Sequence, residues 1–237
     1  MYKLLATLAL ATPLLSYAAI PDVHTTTLNI TSISDYEGST TLNVLSDQGG
    51  VTKFSTAVWQ QVHQLSTGGL GDAYEFQMNM TIAPTAGRII TGYSISGLTS
   101  GTLQTPAKPP EANNSWRPGA AENTASIYLT DTKGQFLSKT STDIISPAPM
   151  ELGVYNLALD RATRLTFATH TGVWAQYATW WENEYTEHKL SSVAAVNFSA
   201  PTLTIYTALA PVPEPETWGM LLAGVALIGL AKRRAKR

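Results

Sequence analysis

Residues 73–84 read AYEFQMNMTIAP, and apolar and polar side chains alternate through them without a break. Tyr74, Phe76, Met78, Met80 and Ile82 fall on one side, with Glu75, Gln77, Asn79 and Thr81 on the other. A period of two matches the pleat of a strand, whose successive side chains point to opposite faces. The segment therefore predicts a strand with one buried and one wetted face. Such a strand needs a second layer over its apolar side, so this pattern alone demands a layered β fold.

The rest of the middle agrees. Residues 84–87, Pro-Thr-Ala-Gly, make a turn, and RIITGYSISG resumes as a strand, so 73–97 is expected to be an antiparallel hairpin. Further strands are predicted at 26–33, 40–45, 126–130, 164–169 and 201–209, each rich in Thr, Val, Ile, Leu or Tyr. Turn signals separate them: Tyr36-Glu37-Gly38, Asp47-Gln48-Gly49-Gly50, Asp131-Thr132-Lys133-Gly134 and Thr169-His170-Thr171-Gly172. One stretch, VTKFSTAVWQQVHQLSTGG at 51–69, competes for helix. Phe54, Ala57, Val58, Gln61, Val62 and Leu65 fit a helical stripe there, although Phe54, Val58 and Val62 also fit alternation. Residues 105–123 hold four prolines and no period, and read as a long exposed loop. Many short strands between regular turns predict an all-β fold: a single antiparallel β-sandwich, with a jelly roll as the candidate winding.

The ends are different in kind. MYKLLATLALATPLLSYAA begins with a positive Lys3, continues with about a dozen apolar residues, and places Ser16 and Ala18 where a signal peptidase reads small side chains. Residues 1–18 are thus read as a signal peptide cleaved after Ala18, and 19–210 as an extracytoplasmic domain. At the other end, PVPEPETWGMLLAGVALIGLAKRRAKR sets Pro213, Glu214 and Pro215 before an apolar run at 217–231, followed by Lys232, Arg233, Arg234, Lys236 and Arg237. As a helix that run spans about 22 Å, against a hydrocarbon core of about 30 Å. Snorkelling basic residues and local thinning make up the difference. It is expected to be a short transmembrane helix in the inner membrane, its basic cluster cytoplasmic.

The Pro-Glu-Pro triplet, Trp218, the short apolar helix and the Arg-rich end together resemble the PEP-CTERM sorting signal of Gram-negative bacteria. The resemblance covers residues 211–237 only, and Glu216 stands where Ser or Thr is more usual. It implies processing by an exosortase, a membrane transpeptidase-like enzyme. It also implies passage through the inner membrane to a cell surface or matrix that contains exopolysaccharide, the setting of a biofilm.

Composition narrows the function of the middle. With 9 Lys and Arg against 15 Asp and Glu between residues 19 and 212, it cannot neutralise phosphates in number, so nucleic acid is not expected as a partner. The chain has no cysteine, which removes disulfides, thiolate metal sites and Cys nucleophiles. There is no His-Glu-x-x-His, no phosphate-binding glycine loop and no Ser-x-x-Lys; Gly92-Tyr93-Ser94-Ile95-Ser96 lacks the second glycine of a nucleophile elbow. No cofactor or metal is expected.

The densest polar-aromatic stretch is WAQYATWWENEYTEHKL, residues 174–190. It reads as a hairpin with its tip at Glu182-Asn183-Glu184, and with Trp180 and Trp181 on opposite faces, one inside and one out. Trp180, Trp181 and Tyr185 are the candidate ligand face, since an exposed aromatic can cover the C–H face of a sugar while Glu182 and Glu184 take its hydroxyl protons. The expectation is a non-enzymatic envelope or matrix protein that binds extracellular polysaccharide. The alternative is a secreted glycosidase-like hydrolase, which needs two carboxylates facing each other across a cleft.

Overall fold

The computed structural model describes residues 21–35, 42–56, 61–65, 71–112, 114–130, 134, 136–211 and 215–234. The signal peptide at 1–18 with its Ala18 cleavage site, Pro213, Glu214, Lys236 and Arg237 lie outside them. In chain order the elements are Val23–His24 (β1), Leu28–Asp35 (β2), Leu42–Gln48 (β3), Val51–Thr56 (β4), Gln61–Leu65 (β5), Gly71–Pro84 (β6) and Arg88–Gln104 (β7). They continue with Ala120–Thr130 (β8), Phe136–Thr142 (β9), Ala148–Leu159 (β10), Thr163–Gln176 (β11), Ala178–Asn183 (β12), Thr186–Leu190 (β13), Val193–Leu209 (β14) and the helix Pro215–Arg234 (α1).

Two six-stranded antiparallel sheets face each other. The first runs β1-β2-β6-β11-β8-β9; the second runs β10-β7-β14-β4-β3, with β5 also on β14. Eight strands pair in a nested order, β4 with β14, β6 with β11, β7 with β10 and β8 with β9. In chain order that is outermost with outermost down to adjacent with adjacent, which is the winding of a jelly roll. The expected sandwich is what the chain forms.

Period-two burial builds the core from both sides. Phe76, Met78, Met80 and Ile82 of β6 and Leu165 and Phe167 of β11 meet Phe54, Ile90, Ile95, Phe198, Leu203 and Ile205 of the other sheet, all 2% exposed or less. Tyr93 is 1% exposed, and its hydroxyl donates to the Thr130 carbonyl at 3.3 Å, which satisfies its one polar atom. The buried Asn123 side chain ties the sheets at one end. Its Nδ2 donates to the carbonyls of Ile144 and Ala195, and its Oδ1 accepts from the Ile144 amide.

A second polar tie joins the chain's entry to the β3–β4 hairpin. The Asp47 carboxylate accepts from the amide and hydroxyl of Thr26 and from the hydroxyls of Thr27 and Thr52. Burial pushes its carboxyl upward, but the hydrogen bonds from Thr26, Thr52 and Thr27 outweigh that and hold it down at about 2.

Five expectations need correction. Residues 73–97 are not a hairpin: β6 and β7 lie in different sheets, and Pro84-Thr85-Ala86-Gly87 arches between them. Alternation cannot separate these cases, because a hairpin and an arch both turn one side of each strand inward. Of the stretch 51–69 that competes for helix, the described residues 51–56 and 61–65 form β4 and β5, while Ala57 and Val58 of the helical stripe lie outside the described residues. In β4 the even positions Thr52 and Phe54 are fully buried, so the two-residue period won.

The predicted turn at Thr169-His170-Thr171-Gly172 lies inside β11. There Gly172 pairs with Ala73 and Thr124, and both threonines are buried. The loop at 105–123 stops at Gly119, where β8 begins, and it is fastened down rather than free, as described below. Finally, among the described residues no helix is long and apolar enough to cross a membrane. The helix α1 extends the apolar run of 217–231 at both ends into Glu216 and Lys232 to Arg234, and Gly219, Gly224, Ala223 and Ala226 within it offer little apolar surface.

Candidate functional site

The stretch around the two tryptophans folds as a separate two-stranded sheet, β12 against β13. Its register pairs Ala178 with Leu190, Trp180 with His188, Trp181 with Glu187 and Asn183 with Thr186, with a bulge at Glu182. Asn183 closes the tip: its Oδ1 accepts the Tyr185 amide at 2.9 Å, an Asx turn that places Glu184 and Tyr185 at the apex.

Alternation separates the two indoles. Trp180 is 6% exposed and Trp181 is 43% exposed. Trp180 does not reach the sandwich core. It lies between the Trp116 ring, 5.9 Å away and tilted by 47°, and the His188 ring, stacked at 4.8 Å and 12°. His188 covers one face of the indole and Trp116 packs against it at an angle, so the buried Trp180 is a packing residue of the hairpin. Trp181 and Tyr185, the latter 90% exposed, remain on the surface.

The loop before β8 holds this hairpin in place. Arg117 and Thr179 exchange backbone hydrogen bonds at 2.7 and 2.9 Å. Ser115 Oγ accepts the Trp181 amide at 2.7 Å and donates to the Trp181 carbonyl at 3.2 Å. The loop is thus fastened to β12 by one backbone bridge at Arg117 and by the side chain of Ser115. The sequence offers the loop around Trp116 as a cover for whichever tryptophan points outward; in the structure Trp116 lies against the inner one, Trp180, and Ser115 has no signal in a proline-rich stretch without period.

Beside Trp181 lies an open groove of about 450 Å³, lined by Ser115, Trp181, Glu182, Asn183 and Glu184. Of the acidic side chains here, Glu182 Oε2 meets His188 Nε2 at 3.1 Å and Glu187 Oε2 meets Lys189 Nζ at 3.0 Å. Glu184 and His188 do not share a helical face, since the segment is a hairpin. The arrangement presents a flat ring, carboxylates and an amide along an open edge, which suits hydrogen bonding to a hydroxylated chain lying across it. Among the described residues no group of three or more His, Asp or Glu side chains could hold a metal ion.

In the tail, Pro215 opens α1, and Met220, Leu221, Leu222, Val225, Leu227 and Ile228 are each more than half exposed around it. Lys232 is exposed on the last turn, which also contains Arg233 and Arg234.

No curated protein sequence matches the chain. Among solved structures, that of TmCBM61 in complex with β-1,4-galactotriose is 8% identical, covers 71% of this chain and 88% of that one, and gives a TM-score of 0.26. The enzymatically active domain of tailspike protein 4 from bacteriophage CBA120 is 14% identical, with 76% of this chain and 19% of that one covered and a TM-score of 0.22. Likeness at that level says nothing about ligand or activity. The tail is another matter, because residues 211–237 match the family model of the PEP-CTERM protein-sorting motif. By those residues the chain carries a PEP-CTERM sorting motif, the mark of an exported, exosortase-sorted protein of Gram-negative bacteria.

Proposed function

We propose that this is an exported protein of the cell envelope or extracellular matrix, and that its jelly-roll domain is a polysaccharide-binding module without catalytic activity. The exosortase reads the tail; the domain is what it delivers. The observation that carries the ligand class is Trp181, an indole 43% exposed on a hairpin whose backbone is pinned by Ser115 and Arg117. A large ring held rigidly in water lowers the ordering cost of binding, and its face is matched by the C–H surface of a pyranose. Asn183, Glu182 and Glu184 at the groove supply partners for the hydroxyls. The acidic excess of the middle repels polyanions, which favours a neutral polysaccharide.

Titration of the purified protein with neutral and acidic polysaccharides, followed by Trp fluorescence, tests this reading. Trp181→Ala is expected to weaken binding of a neutral polymer at least tenfold with an unchanged unfolding midpoint. Trp180→Ala is expected to loosen the hairpin itself. A fluorescence response that survives intact in Trp181→Ala contradicts the assignment.

A further inference from the structure

On the outer face of the second sheet, the regular ladder breaks at one residue from both sides. Strand β7 pairs Gly92 with Tyr155 of β10 and with Tyr206 of β14. The next paired position on β7 is Ile90, opposite Leu159 on one side and Thr207 on the other. Thr91 is passed over in both registers, and Asn156, Leu157 and Ala158 bulge out opposite it. Asn156 takes the left-handed φ of 59° that this bulge requires. The result is a groove of about 440 Å³ lined by Thr91, Tyr155, Asn156, Leu157 and Tyr206.

The glycines beside it show what the groove presents. A Cβ at Gly153 would stand 2.6 Å from the Tyr155 hydroxyl and 2.7 Å from its Cζ, so the Tyr155 ring lies back over its own strand. A Cβ at Gly92 would stand 3.2 Å from Tyr155 Cδ1 and 2.8 Å from the Val154 carbonyl oxygen. Both positions must be bare for the ring to lie down on the sheet. Its hydroxyl donates to Glu151 Oε1 at 2.8 Å, and Tyr206 stands against it at 5.7 Å and 56°. Burial, and after it the hydrogen bond to Glu151, raises the phenol's pKa above its ordinary value against a smaller opposing hydrogen bond with Ser94. Tyr155 is nonetheless 48% exposed. The neighbouring outward positions Ser96, Thr202 and Thr204 carry hydroxyls.

We propose that this groove is a second sugar-binding surface, separate from the hairpin, on which the Tyr155 ring stacks against a neutral hexopyranose while Asn156, Thr91 and Glu151 hydrogen-bond its hydroxyls. The class of ligand rests on the reading of the domain as a polysaccharide binder; the site itself rests on the double break in register and the two bare glycines. An aromatic laid flat beside amide, hydroxyl and carboxylate groups complements a molecule with one C–H face and a rim of hydroxyls. A polyanion is disfavoured by Glu151 at the edge.

Isothermal titration of the full chain with soluble glucan, galactan and mannan oligosaccharides, with an acidic alginate oligosaccharide as control, counts the sites. Two sites per chain are expected for one of the neutral sugars, and Tyr155→Ala is expected to remove one of them while the Trp fluorescence response at the other persists. Tyr155→Phe keeps the ring and is expected to retain the site within a few-fold. A single site that Trp181→Ala removes and Tyr155→Ala leaves untouched overturns this proposal and leaves the hairpin reading standing. Loss of all binding in Tyr155→Ala with none in Trp181→Ala supports the groove and overturns the hairpin. Absence of any heat with the whole panel overturns both.

Discussion

Strands β6 and β10 are both long antiparallel strands, one in each sheet of the same sandwich, and they use their residues in opposite ways. Strand β6 sits between β2 and β11, and its register with β11 runs from Gly71 to Ile82 without a shift. Phe76, Met78, Met80 and Ile82 are each at most 1% exposed, while Gln77 between them faces water. Strand β10 is an edge, paired among the described residues only with β7, and its register slips between Tyr155 and Leu159. It carries a half-exposed tyrosine on its outward face, at the start of that slip. A strand walled on both sides is held to strict alternation, because a one-residue slip would turn its whole apolar face to solvent. An edge has that constraint on one side only, so it can take a bulge and re-aim a ring. The break at Thr91 continues from the edge into the β7–β14 ladder, and both surfaces suited to a ligand lie where a register shifts.

The largest expected effect lies in β6. Phe76→Asp puts a carboxyl among fully buried side chains and is expected to cost several kcal/mol, roughly 4 or more, or to prevent folding. Gln77→Asp, one residue on, is expected to stay within about 0.5 kcal/mol in denaturant unfolding. Equal losses at the two positions break the comparison at its stronger end.

A smaller effect is expected at Asp47, where the polar tie depends on charge. Its folded pKa of about 2 lies below the ordinary 3.8, so its contribution is complete above the ordinary value and is lost as pH falls through about 2. Asp47→Asn is expected to be less stable than the parent by about 1–2 kcal/mol at pH 7, given its partial exposure. The gap closes as the pH falls from about 4 to about 2. A gap independent of pH over that window removes the carboxylate from the account.

An effect of similar size sharpens the β10 end. Asn156 holds its left-handed conformation at a cost that Gly would avoid and a β-branched residue would raise. Asn156→Val is expected to lose about 1–2 kcal/mol by thermal unfolding, and Asn156→Gly to stay near zero. If valine is tolerated as well as glycine, the bulge relaxes freely and does not fix the groove.

Much of β6, β7, β8, β11 and β14 was legible in sequence because burial on one face writes itself as a period of two. What alternation does not encode is which strand each one pairs with, and 73–97 was misread as a hairpin for that reason. The tail was legible as an ordered set of residue types, Pro-Glu-Pro to the basic end. At the hairpin, the split between Trp180 and Trp181 followed from the pleat, but the covering of Trp180 by Trp116 did not, because the two lie more than sixty positions apart. Strand β10 was missed altogether. Its Gly153, Asn156 and outward Tyr155 interrupt the pattern that identifies strands, and that same interruption opens the groove.

Amide hydrogen exchange, with and without a saturating neutral polysaccharide that the protein binds, tests the central claim most directly. The account predicts new protection at 178–190 with 115–117, and at 153–157 with the neighbouring 91–92, with no change along 71–84. A rival surface exists on the outer face of the first sheet, a groove of about 270 Å³ lined by Gly71, Asp72, Glu122, Thr124, Gly172 and Trp174. Protection centred there, on the regular strands β6 and β11 with the hairpin and β10 unchanged, contradicts the placing of the ligand surfaces where a register shifts.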